Sequence, residues 1–226
     1  MTIVVGATSV ANGSSSSMAV PVPSGVIEGD LILLAVTLDA GVFGSDAGIS
    51  TPSGFTPVPS GSVGYGGSNR SRLAVFYKFA VAGESVSYTL NFSRSSGLSW
   101  AANAIARAFR GSNPASAIDA SANSDAGGSQ SSWPAPSVTP SRSDDLLVCL
   151  WAGTTTVAAS SWPSGMIHTQ TADAAPGALF IADQQLATAS PTGTKTLSVS
   201  AATTWSAVTL ALQAGGKIPY VLWDDF

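Results

Sequence analysis

Two similar stretches of the chain decide the fold prediction. Residues 21–36 read PVPSGVIEGDLILLAV, and residues 134–152 read PAPSVTPSRSDDLLVCLWA. Each begins with Pro-x-Pro-Ser, passes through an acidic turn that ends at Asp30 or Asp145, and continues as an apolar run typical of a buried strand. Self-similarity of this kind is the sequence signature of a repeated structural unit, so the two stretches indicate an internal duplication.

Further matches follow in the same order along both halves, and the offset between them shrinks steadily, as shorter loops in the second copy would produce. The matched segments are Pro52–Phe55 with Pro163–Met166, Leu73–Phe76 with Ala178–Ile181, Tyr88–Phe92 with Thr196–Val199, and Trp100 with Trp205. Because Trp100 and Trp205 precede matching strands, we expect both indoles to lie in the core.

Strand signals separated by Gly, Pro and Ser clusters recur along the whole chain. The clearest predicted strands are Leu31–Leu38, Leu73–Phe79, Val86–Phe92, Ala101–Phe109, Leu146–Trp151, Ala178–Ala182, Thr196–Val199 and Ala207–Leu212. We therefore predict an all-β fold, a jelly-roll-like two-sheet antiparallel sandwich of about eight to nine strands. Each half would contribute about four of these strands, and the halves would pack face to face.

The predicted sandwich is a single domain over residues 1–214, with a first half over 19–111 and a second half over 133–214. Residues 112–132 would link the halves, and the stretch 121–132, SANSDAGGSQSS, has the composition of a flexible exposed loop. The Ala-rich residues 100–109 have helical propensity. Their counterpart is rich in Thr and Val, which favours a strand.

The composition indicates a folded, soluble β-protein. Hydrophobic residues make up 45% of the 226 residues and charged residues only 10%, so Ser, Thr, Asn and Gly must supply the polar surface. No segment approaches the roughly 18 apolar residues that cross a bilayer, and residues 1–5 lack the basic region of a secretory signal. A net charge of −4 with nine basic residues argues against nucleic-acid binding.

Residues suited to catalysis or metal binding are sparse. His168 is the only histidine and Cys149 the only cysteine; we expect His168 on a loop or at the surface and Cys149 as a buried, inert thiol. Zinc normally needs several such ligands. Calcium could use the acidic pairs at residues 144–145 and 224–225, but the match of Asp145 with Asp30 favours a turn-forming role. A carboxylate pair for glycoside hydrolysis stays open. We predict a non-enzymatic protein without cofactor or metal.

Three aromatic side chains are candidates for contact with a glycan or another surface. Trp133 and Trp162 each precede a proline at the edge of a predicted loop, and Tyr65 lies among the glycines of residues 63–67. An exposed ring at these places could stack on a sugar. Packing against a neighbouring subunit is the alternative for each of them.

Residues 215–226 form a predicted docking tail. Two glycines are followed by a nonapeptide, IPYVLWDDF, that has no counterpart in the first half. Its proposed anchors are Tyr220, Leu222, Trp223 and Phe226, because large aromatic side chains concentrate binding energy. Two interpretations stay open: the tail folds back over its own sandwich, or it docks on a neighbouring subunit or on a particle.

Motifs of the first half resemble a known family. These motifs are GDLILLAV at residues 29–36, TPSGFT at 51–56, RLAVFYKF at 72–79, SYTLNF at 87–92 and AFRG at 108–111. In this order they resemble virion accessory proteins of tailed bacteriophages and prophages, and the resemblance extends from about residue 25 to about residue 212.

The resemblance implies a capsid decoration, head-spike or minor tail protein with a jelly-roll-like fold, located in the virion. It also implies a homo-oligomer, with a trimer as the specific expectation, and contacts with other virion proteins such as the major capsid protein or a tail protein. No catalytic residues come with this family. A carbohydrate or host-surface binding module of a phage particle is the alternative function.

Overall fold

The computed structural model describes residues 2–39, 48–65, 71–93, 101–126, 128–174 and 177–215. Within these ranges the chain forms sixteen strands and no helix, which confirms the all-β prediction. A first unit consists of β1 (Val4–Gly13), β2 (Ser17–Pro21), β3 (Leu31–Asp39), β4 (Gly48–Ile49), β5 (Thr56–Tyr65), β6 (Ser71–Phe79), β7 (Ser87–Ser93) and β8 (Ala101–Arg110). A second unit consists of β9 (Ile118–Asp125), β10 (Gln130–Ala135), β11 (Leu146–Gly153), β12 (Ala159–Ser161), β13 (Ile167–Ala172), β14 (Ala178–Gln185), β15 (Lys195–Thr203) and β16 (Trp205–Leu212).

The two units have the same strand order. In the first unit an inner sheet runs β1-β8-β3-β6-β5 and an outer sheet runs β2-β7-β4; in the second unit the orders are β9-β16-β11-β14-β13 and β10-β15-β12. In each unit the first strand pairs with the eighth, the second with the seventh and the third with the sixth, so the antiparallel pairs are nested. The fifth strand of each unit departs from that order, because it extends the inner sheet by pairing with the sixth.

The four sheets stack in layers, with a hydrophobic core in each gap. Leu33 of β3 and Val148 of β11 lie in one central core, so the two inner sheets face each other. A second core, which contains Leu34 and Leu90, lies between the inner and outer sheets of the first unit. A third core occupies the same place in the second unit and contains Cys149. The antiparallel sandwich is confirmed, and it occurs twice.

The layering explains why the two stretches that reveal the repeat are so apolar. β3 and β11 lie in the middle of the inner sheets and are covered on both faces, so every residue of β11 and all but the last of β3 are buried. A strand covered on both faces is nearly continuously apolar. β7 faces solvent on one side, and its side chains alternate between buried and exposed from Tyr88 onward.

Turns of matching conformation support the internal repeat. Gly29 lies two residues before β3 and Asp144 two residues before β11. Both have positive φ, 85° and 66°. The two Pro-Ser-Gly turns place Gly54 and Gly165 at φ values of 78° and 80°, a region that glycine adopts without strain. The same local geometry therefore recurs at the positions that the sequence matches.

The predicted number of strands, and their division between the halves, is wrong. Each half contains eight strands and forms a complete two-sheet sandwich by itself. The strands that the prediction missed include β1, β2, β9, β10, β12 and β13, all of which lie at sheet edges. An edge strand buries less of its surface, so its apolar pattern is weak and the hydrophobic period that identifies strands is lost.

The predicted flexible linker is also wrong. β9 begins at Ile118 and pairs with β16, and β10 begins at Gln130. The polar sequence of residues 121–125 is that of an edge strand facing a partner: Asn123 Nδ2 donates to the carbonyl oxygen of Ser60 in the first unit at 2.8 Å. Hydrogen bonds to another element, rather than mobility, account for this composition.

The sheet register corrects one pairing of the repeat. Trp205 is buried, as predicted, and pairs with Gly153, the eighth residue of β11. The eighth residue of β3 is Leu38, which pairs with Ala102. Ala102 is therefore the counterpart of Trp205, and Trp100 lies outside the described residues.

Candidate functional site

An apolar patch is exposed at one end of the first unit. Ile27, Val81 and Val86 are 54%, 56% and 89% exposed. They lie on the β2–β3 and β6–β7 loops, which enclose a groove of about 700 Å³. Val86 was expected inside a strand, but β7 begins one residue later and leaves this side chain in solvent. We call these three side chains and the groove between them the end patch.

The second unit carries different side chains at the positions of the end patch. The matched turns, hairpin hydrogen bonds and strand registers make Arg142, Ala187 and Lys195 the counterparts of Ile27, Val81 and Val86. Two of the three counterparts are cationic and the third is small. The end patch is therefore a property of the first unit and not of the repeated fold.

The last described residue is hydrogen-bonded to a neighbour of Arg110, whose side chain reaches the groove. Gly215 N donates to the carbonyl oxygen of Gly111 at 2.7 Å. Arg110, the residue before Gly111, has a half-exposed side chain. It donates to the carbonyl oxygen of Gly25, which lines the groove. Residues 216–226 lie outside the described residues, and so do the predicted anchors Tyr220, Leu222, Trp223 and Phe226.

A charged cluster is buried in the central core, between the units. Arg107 of β8 donates from Nη1 to Oδ2 of Asp183 on β14 at 3.1 Å, and the two side chains are 2% and 0% exposed. Arg107 Nε also donates to Thr8 Oγ1, and His168 Nδ1 lies 2.8 Å from Asp183 Oδ1. Burial raises the pKa of Asp183, and the His168 ring and the Arg107 guanidinium oppose that rise.

The charged cluster occurs once, although the fold repeats. Arg107 and Asp183 pair with the third residue of the middle strand in their own units. The counterparts of these two residues are Leu210 and Tyr77, so the symmetry-related place carries no ion pair. His168 lies at a bulge of β13 with a φ of 47°, and its half-exposed ring turns back onto Asp183. The cluster joins the units to each other.

The second unit brings two carboxyl groups together. Asp145 accepts a hydrogen bond from Ala214 N at 3.1 Å, and Asp119 accepts hydrogen bonds from the backbone and hydroxyl of Ser141. Burial, and then the proximity of Asp119, raise the pKa of Asp145 to about 6. Burial opposes the hydrogen bonds from Ser141, which nevertheless lower the pKa of Asp119. Asp145 is fully buried, so it lacks access to a substrate.

Asp30, the counterpart of Asp145, has a different partner. Arg110 donates to both of its carboxylate oxygens at 2.8 Å, and Ile27 N donates to Oδ2. The hydrogen bonds from Arg110 hold the pKa of Asp30 below its usual value. The turn-forming role was predicted for Asp145 from its match with Asp30. Asp30 makes such a bond, to Ile27 N, whereas Asp145 accepts its hydrogen bond from a distant part of the backbone, Ala214, so the prediction for Asp145 is wrong.

A polar cleft of about 330 Å³ lies beside β7 of the first unit. Its lining includes the hydroxyl and amide side chains of Thr51, Ser53, Ser85, Ser87, Thr89 and Asn91. Lys78 and Tyr88 line it as well. Lys78 Nζ lies 2.7 Å from Glu84 Oε1 and 5.5 Å from the ring centroid of Tyr88. Sequence reasoning did not find this cleft, because its polar residues are distributed over three segments of a Ser-rich chain.

Two of the three residues predicted to contact a glycan are buried, so their predicted exposure is wrong. Tyr65 is 1% exposed, and its hydroxyl forms a hydrogen bond with that of Thr37. Trp133 is 0% exposed and stacks against Trp205 with ring centroids 6.5 Å apart. The neighbouring Gly and Pro residues suggested loops, but both side chains belong to strands and point inward. Neither ring offers a face to a ligand.

Trp162 and Cys149 lie in or beside the third core. Trp162 is partly buried and packs edge-on against Trp151 and Phe180. Cys149 is buried, as predicted, and burial raises the pKa of its thiol to about 12. A thiol in that state is a poor nucleophile.

In the part of the chain that the structure describes, no group of three or more His, Cys, Asp or Glu side chains is placed to hold a metal ion. The same residues include no helix long and apolar enough to cross a membrane. Comparison with known proteins found no matching family model, no matching curated protein and no matching solved structure.

Proposed function

We propose that the protein is a non-enzymatic structural protein of a phage virion, and that it attaches to neighbouring proteins through the end patch. The observation that carries this proposal is the grouping of Ile27, Val81 and Val86 around one groove, with polar or small counterparts in the second unit. Contiguous exposed apolar surface marks interaction sites in soluble proteins. The resemblance of the sequence motifs to virion accessory proteins supplies the biological setting.

The occupant of the groove in this proposal is the apolar segment 218–226 of a neighbouring copy. Its large side chains are those of Tyr220, Leu222, Trp223 and Phe226, and burial of each contributes about 1.5–3 kcal/mol before ordering costs. Arg110 donates to Gly25 of the groove, but its guanidinium is paired with Asp30. Because Glu28 and Glu84 line the groove, Asp224 and Asp225 would lie outside it. The equivalent end of the second unit lacks the apolar side chains that such a segment requires.

This contact determines the type of oligomer. One groove and one segment per chain give a head-to-tail interface, which closes into a ring when the rotation between copies allows it. We propose a closed trimer that in turn contacts other virion proteins. Gly215 bonds to Gly111, the residue after Arg110, and Arg110 contacts the groove at Gly25. The segment could therefore instead bind to its own chain. Binding to its own chain would leave the protein monomeric, so the oligomeric state distinguishes it from binding to a neighbouring copy.

The test replaces two residues of the end patch with those of the second unit. We expect the wild type to sediment as an oligomer at micromolar concentration, and the I27R/V86K double variant to sediment as a folded monomer. Ile167→Arg is the matched control, because Ile167 is 52% exposed but lies outside the patch. Deletion of residues 217–226 should also give a folded monomer. A monomeric wild type, or an oligomer that survives I27R/V86K, contradicts the proposed attachment.

The virion setting has its own test. Mass spectrometry of purified phage particles should detect the wild-type chain, and particles assembled with I27R/V86K should contain at least tenfold less of it. If the wild-type chain does not copurify with particles, the virion assignment is wrong.

A second candidate function is carbohydrate binding at a host surface. The observation that favours it is the polar cleft beside β7. This cleft replaces the aromatic residues that the sequence suggested as the place where a sugar would bind.

A further inference from the structure

We propose that the polar cleft of the first unit is a binding site for a neutral saccharide, separate from the end patch. At about 330 Å³ the cleft falls within the range of small-molecule sites. Hydroxyl and amide groups on three segments converge on it, and they can both donate and accept hydrogen bonds. A sugar ring presents the same mixture of donors and acceptors.

An unpaired buried hydroxyl points to a ligand. Tyr88 is 5% exposed and lines the cleft. Its hydroxyl interacts with the Glu84 carboxylate, but it forms no hydrogen bond of normal geometry with Glu84 or with another described residue. Buried polar groups are nearly always hydrogen-bonded, and each exception calls for a physical reason. A saccharide hydroxyl in the cleft would supply the missing partner.

The charge of the cleft favours a neutral ligand over an ion. Lys78 is the cationic residue of the lining, and its ammonium group is paired with Glu84 at 2.7 Å. The same ammonium group also lies over the rings of Phe55 and Tyr88. A bound anion would face Glu84, and a bound cation would face Lys78. A neutral molecule rich in hydroxyl groups meets neither repulsion.

Comparison of the units shows why the cleft is open in the first one. β4 is two residues long and pairs with Phe92 and Ser93, so the preceding part of β7 lacks a neighbouring strand on that side. β12 in the second unit pairs with Ser198 and Val199. These are the counterparts of Thr89 and Leu90, so β12 covers a part of the strand that β4 leaves open. The residue before the Pro-Ser-Gly turn is Thr51 in the first unit.

The second unit has Trp162 at the position of Thr51, and this indole packs against Trp151 and Phe180. The counterparts of Trp151 and Phe180 in the first unit are Val36 and Ala74. Neither residue lines the polar cleft, so Trp162 fills a space beside the counterpart of the cleft and not the cleft itself. Thr51 is exposed and lines the cleft itself, so a tryptophan at residue 51 should obstruct the cleft.

The test is a titration of the isotope-labelled full chain, followed by NMR, with D-glucose, D-galactose, N-acetyl-D-glucosamine and L-rhamnose. At least one sugar should shift the amide signals of residues 51–53 and 85–91. Tyr88→Phe should weaken that binding about fivefold to tenfold, because it removes one buried hydrogen bond to the ligand. Thr51→Trp should abolish it.

Thermal unfolding separates a binding role of Tyr88 from a structural one. Tyr88→Phe removes a hydroxyl that forms no hydrogen bond of normal geometry, so the Tm should change little while sugar binding weakens. Tyr65→Phe is the matched control: its buried hydroxyl has Thr37 as a partner, so its loss should lower the Tm and leave sugar binding unchanged.

Three results would overturn the proposal. The first is that none of the four sugars shifts the cleft amides. The second is that binding persists unchanged in both Tyr88→Phe and Thr51→Trp. The third is that inorganic phosphate, or an acetylated Thr-Val-Thr-Val peptide able to pair with the open edge of β7, produces those shifts instead.

Discussion

The two units share every strand pairing, yet they differ in what fills and covers those strands. The third core, in the second unit, contains Trp133, Trp151 and Trp205, where the register places Val20, Val36 and Ala102 in the first unit. Outside the core, the first unit exposes an apolar end patch and an open polar cleft, whereas the second has Arg142, Lys195 and Trp162 at the equivalent positions.

This difference shows which parts of the fold are free to change. Both units must keep the central core, because each inner sheet covers the face of the other. The unit cores can exchange large and small side chains as long as volume is conserved. The loops and the outer faces of the outer sheets carry no such constraint, and apart from Lys78 of β6 the residues of our two proposed sites lie on the loops and outer sheets. Exchanges between equivalent positions therefore test the comparison directly.

The largest effect is expected at the buried ion pair between Arg107 and Asp183, which has no counterpart at the symmetry-related place. Asp183→Ala leaves the Arg107 guanidinium buried without its carboxylate partner and should reduce the free energy of unfolding by about 3–5 kcal/mol. The double variant R107L/D183Y installs the counterparts Leu210 and Tyr77. It should recover most of that loss, because a well-packed apolar pair often replaces a buried ion pair without cost.

Denaturant unfolding monitored by circular dichroism measures both variants. A loss below about 1 kcal/mol for Asp183→Ala would mean that the guanidinium finds water or another partner, since an uncompensated buried charge costs more than that. The central core would then be more open than the structure indicates.

The next effect concerns two neighbouring core positions at which one unit has a large and a small side chain and the other has two of intermediate size. A Cβ atom on Gly153 would lie 2.5 Å from the Trp133 ring, whereas the first unit has Leu38 and Val20 at these positions. Gly153→Leu should therefore reduce the free energy of unfolding by about 2–3 kcal/mol through overpacking. The W133V/G153L double variant should recover at least half of this loss. Equal losses for the single and double variants would refute the volume exchange.

The smallest effect depends on pH and compares the two equivalent aspartates. The pKa of Asp145 is raised to about 6 by burial and by Asp119, so its ionisation disfavours the folded state above that pH. The contribution of the protonated form to stability is complete below the unfolded value near 4 and is lost as the pH rises through about 6. Asp145→Asn should therefore stabilise the protein by about 1–2 kcal/mol at pH 7.5 and hardly at all at pH 4.

Asp30 should behave in the opposite way. Its pKa is lowered by Arg110, so its contribution to stability is present at neutral pH and is lost on acidification through the lowered value. Asp30→Asn should reduce stability at pH 7.5, and its difference from the wild type should shrink as the pH falls below 4. Parallel pH profiles for Asp30→Asn and Asp145→Asn would mean that the carboxyl environments do not differ as described.

The sequence predicts the repeat and the middle strands because those features depend on strong local patterns. The β3 and β11 stretches are recognisable because strands covered on both faces are nearly continuously apolar. β9 was mistaken for a flexible loop because an edge strand that bonds through Ser and Asn side chains has a linker-like composition. Missing the edge strands led to one sandwich where two exist.

The candidate sites were harder to predict, because they depend on which residues meet in space. Tyr65 and Trp133 are adjacent to loop-forming residues in sequence, but strand alternation turns both inward. The end patch combines residues from two loops about fifty positions apart, and the cleft combines three segments. No local sequence pattern predicts that residues so far apart in the chain lie together. The repeat does offer one signal, because Val86 stands where the second unit has Lys195.

The central claim is that the two units share one core and unfold together. In a W100F/W223F background the four remaining tryptophans, at positions 133, 151, 162 and 205, all lie in the second unit. Their fluorescence therefore reports on that unit, while far-ultraviolet circular dichroism reports on the strands of both. Followed through one denaturant titration, the two signals should change in a single coincident transition. Tryptophan emission that changes while about half of the dichroism signal persists would show that the units unfold separately, and would contradict the shared core.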